Sequence, residues 1–207
     1  MASINSNKFC NIVTYMRLGK QVIRSLPWQW KDPNTAVQQS LRQKFIAAQQ
    51  FCKLFTPFYK TYWQNLPINQ TAWNAVNSYT IKNSMVLNSG IWCVNKSLFR
   101  LSNGNLLNTT AHEPSNNGSH LLYSCFHDNS GIGNALPNDL AIGVVYCEDL
   151  NLVSFKQYSY YDRSCGVAYC FTPDSFSGHI CFFWLVFSRP DLSLVSNSVF
   201  CGSVLKS

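Results

Sequence analysis

The chain has few charged residues and no apolar run long enough to cross a membrane. Asp, Glu, Lys and Arg make up 12% of its 207 residues, and this low charge tolerates close contact between copies. The longest apolar run, residues 180–187, has the length of a strand, whereas a membrane helix needs roughly 20 apolar residues. The first residues lack the apolar core of a signal peptide. We therefore expect a cytoplasmic protein without a membrane contact, or alternatively a virion component.

The sequence also lacks the spacings that mark metal sites and catalytic centres. Its nine cysteines include no C-x-x-C pair, which argues against zinc knuckles and predicts buried thiols in a reduced compartment. Cys125 and His127 lie close together, but no third group orients them for hydrolysis. Residues 128–134 are typical of a long turn rather than a calcium loop. We predict no enzyme, no catalytic residue, no metal ligand, no cofactor and no small-molecule substrate.

What the chain does have is a strong separation of charge. Residues 1–100 carry twelve Lys or Arg and one acid, and residues 101–207 carry four bases and eight acids. The two halves therefore have net charges of +11 and −4, in agreement with the total of +7. This asymmetry favours two regions that face different partners, or a basic half of one copy that meets the acidic half of the next.

The N-terminal residues predict a β-hairpin followed by an extended arm. Two β-prone runs, 12–15 and 21–24, flank Gly19, which can take the positive φ that a tight turn requires. Pro27 then disfavours helix for the residue before it, so the segment 26–30 is expected to be extended.

A small helical region is predicted to follow the arm. Thr35 and Gln38 form the pattern of a capping box. The apolar residues beyond them recur every three or four positions and predict one core-facing stripe; they are Val37, Leu41, Phe45, Ala48, Cys52 and Phe55. Thr56-Pro57 predicts a second, short helix with Thr56 as its cap and Pro57 in its first turn, and Asn69 is expected to cap a third.

From about residue 85 the apolar period changes to two, which predicts strands. We place them near residues 91–101, 119–126, 140–147, 152–158, 165–171, 179–187 and 197–205. Seven short strands separated by turns favour an antiparallel immunoglobulin- or fibronectin-III-like β-sandwich. The continuously apolar runs 144–147 and 180–187 predict its central strands. The fold class is therefore α+β, with a basic hairpin, arm and helical region over 1–84 and a β-sandwich domain over 91–207.

Several motifs, in this order, resemble those of a known family. They are Ile23-Arg24-Ser25-Leu26-Pro27, Asp32-Pro33-Asn34-Thr35-Ala36, Asn74-Ala75-Val76-x-Ser78-Tyr79, Asp128-Asn-Ser-Gly-x-Gly-Asn-Ala135, Asp139-x-Ala-x-x-Val-Val-Tyr146 and Ser196-Asn-Ser-Val-Phe-x-Gly202. Together they resemble a family of unknown function found in Bacteroidota proteins of about this length. The chain departs from it at Cys10, where the family usually has glycine. The resemblance implies architecture and source group, and it transfers no catalytic residue.

The basic arm is the strongest candidate for a binding site. Its partner- or polyanion-binding residues are predicted to be Arg17, Lys20, Arg24, Trp28, Trp30 and Lys31. Cations neutralise phosphates and aromatic faces stack on unpaired bases, so nucleic acid is one coherent partner. The tryptophans would equally anchor the arm on helices or on a neighbouring subunit, and we favour this interpretation.

We therefore predict a non-enzymatic binding or assembly protein that acts through protein–protein contacts of the basic arm and the sandwich loops. Its partner is another copy of the chain or another protein. One alternative is a nucleic-acid-binding accessory protein that uses the basic N-terminal half. The other is a structural component of a phage-like particle.

Overall fold

The structure, a computed structural model, describes residues 7–9, 12–17, 19–25, 32–117, 120–155 and 161–206. The chain divides into two compact units, residues 1–40 and 41–207. None of the helices in these described ranges is both long and apolar enough to span a membrane.

The first unit contains an antiparallel sheet of three strands. These are β1 (Asn7–Phe9), β2 (Ile12–Arg17) and β3 (Lys20–Ser25), in the order β1-β2-β3. Gly19 adopts φ +75° between β2 and β3, a conformation that costs glycine little because it has no Cβ. The predicted hairpin is confirmed.

Helix α1 (Ala36–Leu54) begins at the predicted capping box. The Gln38 backbone N–H donates to Thr35 Oγ1 at 3.3 Å, and the Thr35 N–H donates to Gln38 Oε1 at 3.2 Å. Two of the otherwise unpaired amides at the helix start are thereby satisfied.

Two further helices follow, α2 (Thr56–Tyr62) and α3 (Ala72–Asn83), and their predicted caps were wrong. The cap of α2 is Phe55, one residue before the predicted threonine. The cap of α3 is Thr71, whose side chain accepts from the Asn74 N–H and whose backbone is extended. Asn69 has a left-handed φ of 63°, whereas a residue that caps a helix with its side chain typically has extended backbone.

The second unit contains nine strands among its described residues. They are β4 (Met85–Asn88), β5 (Ile91–Val94), β6 (Ser115–Asn116), β7 (Leu121–Cys125), β8 (Leu140–Cys147), β9 (Leu152–Phe155), β10 (Val167–Phe171), β11 (Ile180–Ser188) and β12 (Val199–Leu205). All the pairings between them are antiparallel, in sheets of order β4-β5, β10-β7-β6 and β12-β11-β8-β9. The α+β class is confirmed, and the runs 144–147 and 180–187 lie in central strands as predicted.

The predicted strand 91–101 is too long. Strand β5 ends at Val94 because the Asn95 side chain accepts from the Ser97 N–H and starts a short 3-10 turn. The sequence prediction also missed β4, which pairs with β5 across Ser89-Gly90. Both turn residues have positive φ, the signature of a tight two-residue hairpin.

Strands β8 and β11 carry packed cores on both faces. On one face, Val144 and Trp184 share a core with Phe55, Phe58 and Val76 of the helical region. On the other face lies a second core, shared with β7 and β10; its members include Leu122, Val145, Ala168, Cys170 and Phe183. The four-stranded sheet is therefore the middle layer of this unit, which explains why its central strands are apolar at successive positions.

Gly143 marks the close approach of the two larger sheets. A Cβ at this position would lie 2.9 Å from the Tyr169 backbone oxygen and 2.6 Å from Phe183 Cζ. The last helix ends at Asn83 and the next strand begins at Met85, where the apolar period changes. The division into regions 1–84 and 91–207 stays a prediction.

Candidate functional site

Three of the six predicted binding residues lie on one face of the β2–β3 hairpin. Arg17 is the register partner of Lys20, and Arg24 is the partner of Val13, two pairs that fall on the same side of the ladder as Tyr15. The Arg24 guanidinium carbon lies 5.8 Å from the centre of the Tyr15 ring. We name this surface, formed by Tyr15, Arg17, Lys20 and Arg24, the basic hairpin face. Trp28, Trp30 and Lys31 lie outside the described residues.

A second surface arises because the apolar stripe of α1 is only half covered. Ala48 and Cys52 are fully buried in the described structure, as the periodicity predicts. Phe45 and Leu41, one and two turns earlier on the same stripe, are 49% and 57% exposed. Neighbouring Ile46 is 53% exposed. The first half of the helix therefore presents large apolar side chains to solvent.

The exposed half of α1 borders a groove against α3, which we name the α1–α3 groove. It encloses about 310 Å³ and is lined by Phe45, Gln49, Trp73, Asn77, Ile81 and Lys82, among others. Asn77 is buried, and its side-chain N–H donates to the Trp73 backbone oxygen at 2.8 Å. Its amide oxygen has no hydrogen-bond partner among the described residues. Sequence periodicity could not single out this groove, because its walls come from two helices that are separate in the sequence.

Two completely buried charged side chains, Arg163 and Asp139, form the centre of a polar cluster. Arg163 Nε lies 3.2 Å from Asp139 Oδ2. The guanidinium also donates to the Leu107 backbone oxygen at 2.8 Å and to Asn129 Oδ1. It lies 3.8 Å from the centre of the Phe187 ring. Burial lowers the pKa of Arg163, and the neighbouring Asp139 carboxylate opposes that shift.

The same cluster holds the glycine-containing turn of residues 128–134. Asp128 Oδ1 accepts from the Ser130 N–H at 2.9 Å, as expected of an Asx turn. Arg189 donates to the Asn134 backbone oxygen at 2.6 Å and makes an ion pair with Asp139 at 3.3 Å. The sequence prediction recognised the turn but missed its buried anchor, because Asp139 and Arg163 are 24 residues apart.

The described cysteines are free thiols, and most of them are packed as small apolar side chains. Cys170 and Cys181 are fully buried, and burial raises the pKa of each to about 12. Such thiols stay protonated at neutral pH and are poor nucleophiles. Across residues 32–117, 120–155 and 161–206, no group of three or more His, Cys, Asp or Glu side chains is placed to hold a metal ion.

Comparison with known proteins gives a family but no activity. A model of a family of unknown function matches residues 4–202, nearly the whole chain. No curated protein and no solved structure matches. The predicted membership of a family of unknown function is therefore confirmed, and its source group stays a prediction.

Proposed function

The chain belongs to that family, DUF6266, and we propose that it is a non-enzymatic protein that assembles with other copies of itself through its basic N-terminal region. The basic hairpin face of one copy meets the acidic surface of the next. The observation that supports this most directly is the separation of exposed charge between the two parts of the chain.

The exposed acids of the second unit all come from residues after 100. They include Glu113, Asp128, Asp149, Asp174 and Asp191, whereas residues 41–100 contain no acid. Arg17, Lys20 and Arg24 are exposed on the hairpin. Patches of opposite charge on one molecule let successive copies associate head to tail. Such a contact is heterologous, because it joins two different surfaces of the chain.

We also propose that β6 to β12 form an immunoglobulin- or fibronectin-III-like sandwich whose loops add recognition surface. Two properties support it: the seven strands divide into sheets of four and three, and alternate residues of the central strands face a common core. The close approach at Gly143 is consistent with direct sheet-on-sheet packing.

We expect self-association that salt weakens. Light scattering and sedimentation velocity at low and high salt should show a mass that rises with protein concentration and falls with ionic strength. The double variant Arg17→Glu, Lys20→Glu should weaken the association constant by roughly tenfold or more, because it places like charges against the acidic surface.

The matched control is Lys53→Glu, Lys60→Glu, which changes the net charge equally on exposed helical positions of the other unit. The control should associate more tightly than the hairpin variant. A strict monomer at every concentration would show that the assembly proposal is wrong.

Nucleic-acid binding is the second candidate, favoured by the shared face of Tyr15, Arg17, Lys20 and Arg24. Each contact between a basic side chain and a phosphate releases counterions. The four basic residues Arg17, Lys20, Arg24 and Lys31 therefore predict that the logarithm of the binding constant for single-stranded DNA falls with the logarithm of salt concentration with a slope of about −3. Replacing Trp28 and Trp30 with alanine should cost about 2–6 kcal/mol if both rings stack on bases. Filter binding tests this, and no retention at low salt would rule the candidate out.

A further inference from the structure

The α1–α3 groove has the composition of a recognition site. Phe45, Trp73 and Ile81 supply apolar walls, and Phe45 remains 49% exposed. The stripe to which Phe45 belongs continues directly into the core through Ala48 and Cys52. An apolar side chain that enters the groove would therefore extend an existing packed surface, and it would cover area that now faces water.

The groove also carries a polar group that lacks a partner. The Asn77 side-chain N–H is used by Trp73, but its amide oxygen accepts no hydrogen bond from the described residues. A buried acceptor without a donor carries a free-energy cost. An occupant that is apolar and also carries one N–H or O–H donor would recover that cost. Tryptophan and tyrosine are the side chains that combine the two properties.

The positive charge around the groove favours an occupant with negative charge. Lys82 lines the groove, and the whole segment 41–100 has seven basic residues and no acid. A basic segment would be repelled here, whereas an acidic one would be attracted. The basic arm of a second copy is thus disfavoured as the occupant.

We propose that the α1–α3 groove binds an acidic segment of a partner protein through one tryptophan or tyrosine side chain. The aromatic ring packs between Phe45, Trp73 and Ile81, and its N–H or O–H donates to the amide oxygen of Asn77. An acidic residue beside the aromatic one faces Lys82. This inference rests on the proposed role in protein binding, but it uses a surface separate from the basic hairpin face.

The test uses the full chain labelled with ¹⁵N and three short peptides. The first is acetyl-Glu-Asp-Trp-Glu-Asp-amide, the second replaces its Trp with Phe, and the third replaces its acids with Lys and Arg. Titration of the first peptide should shift the Trp73 indole and Asn77 side-chain signals. The Phe peptide should bind about three- to tenfold more weakly because it lacks the donor, and the basic peptide should not bind.

Two variants connect the binding to the groove. Phe45→Ser should weaken the Trp peptide more than about tenfold, whereas Ile91→Ser, at an exposed position outside the groove lining, should not change it. Asn77→Leu should abolish the preference for Trp over Phe. If that buried substitution prevents folding, the Phe45 and peptide comparisons still decide the result.

Three outcomes would overturn the proposal: no shift with the Trp peptide, equal binding of the Trp and Phe peptides, or a Phe45→Ser variant that loses self-association without any peptide binding. The last result would identify the occupant as a second copy. Self-association is measured from the mass of the protein in solution, and groove binding is measured from the NMR signal shifts. A strict monomer that binds the peptide would therefore show that the assembly proposal alone is wrong. An oligomer that ignores the peptide removes the groove proposal alone.

Discussion

Replacing Arg163 with methionine should lower the free energy of unfolding by about 3–5 kcal/mol, one of the largest effects expected of a single substitution here. Methionine fills much of the same volume, so the cost comes mainly from the charge left behind. Asp139 is completely buried, and it would lose its fully buried cationic partner. Urea unfolding of the wild type and the variant measures the difference.

The loss of stability is large because several groups receive hydrogen bonds or ring contacts from the Arg163 guanidinium. The guanidinium reaches the Asp139 carboxylate, the Leu107 carbonyl and the Asn129 amide, and it lies over the Phe187 ring. The fully buried carboxylate and the two half-buried acceptors would each lose a donor. A buried acceptor left without a donor costs about 1–3 kcal/mol. The carboxylate would keep the Leu136 backbone N–H, which donates to its Oδ2 at 2.8 Å, and Arg189, which lies 3.3 Å from its Oδ1.

Two comparisons separate this explanation from a simple loss of packing. Arg100→Met removes a guanidinium 4.7 Å from the centre of the Tyr79 ring at a half-buried position, and it should cost only about 0.5–1 kcal/mol. The double variant Asp139→Asn, Arg163→Met should be less damaging than the two single costs added together, because it leaves no buried carboxylate unpaired. An Arg163→Met cost below about 1 kcal/mol would contradict the assignment.

The same cluster joins two of the motifs named in the sequence analysis. The motifs that begin at Asp128 and at Asp139 meet at Arg163, where the first supplies the Asn129 acceptor and the second the carboxylate. The contacts of these polar residues hold the turn of residues 128–134 next to the start of strand β8.

Local signals in the sequence predicted local structure well. The capping box at Thr35 and Gln38 needs only neighbouring residues, and both of its hydrogen bonds form. Strand β8 matches its predicted bounds because a run of apolar residues ended by a turn specifies its length. Errors occurred where two polar residues competed for one role, as Asn69 and Thr71 did for the cap of α3.

What the sequence could not show depends on contacts between distant residues. The stripe on α1 is uniform in pattern, yet only its second half finds a core, so periodicity alone could not reveal the exposed Leu41 and Phe45. The basic hairpin face could be predicted as a cluster of residues, but its shared side depends on the register that pairs Arg17 with Lys20. The Asp139–Arg163 pair required the fold itself.

Replacing Trp184 with alanine should cost about 3–5 kcal/mol, and it should loosen the helices and the sheet together. Trp184 is fully buried in β11. Its ring centre lies 6.0 Å from that of Phe55, 6.2 Å from Phe99 and 5.4 Å from Phe200. These partners come from the helical region, the segment after β5 and the edge strand β12. A cavity at this point would therefore remove contacts on several elements at once.

A second replacement of Trp184 tests whether its aromatic ring or its indole N–H contributes to the free energy of unfolding. The Trp184 indole N–H has no partner among the described residues, so Trp184→Phe removes an unsatisfied donor while it keeps an aromatic ring. We expect that variant to cost less than about 1.5 kcal/mol. Trp92→Ala, at a half-buried ring 4.9 Å from the Lys44 ammonium, is the control for tryptophan loss outside the core and should cost about 1 kcal/mol.

Hydrogen exchange decides how far the Trp184→Ala effect spreads. If helices and sheet unfold as one cooperative unit through the core they share, amides of α3 and of β11 should lose protection by the same free energy. If residues 1–84 and 91–207 instead behave as separate regions, α3 should keep its protection while β11 loses it. We expect the first result, because Phe55, Phe58 and Val76 share their core with Val144 and Trp184, and helices of this length gain most of their stability from such packing.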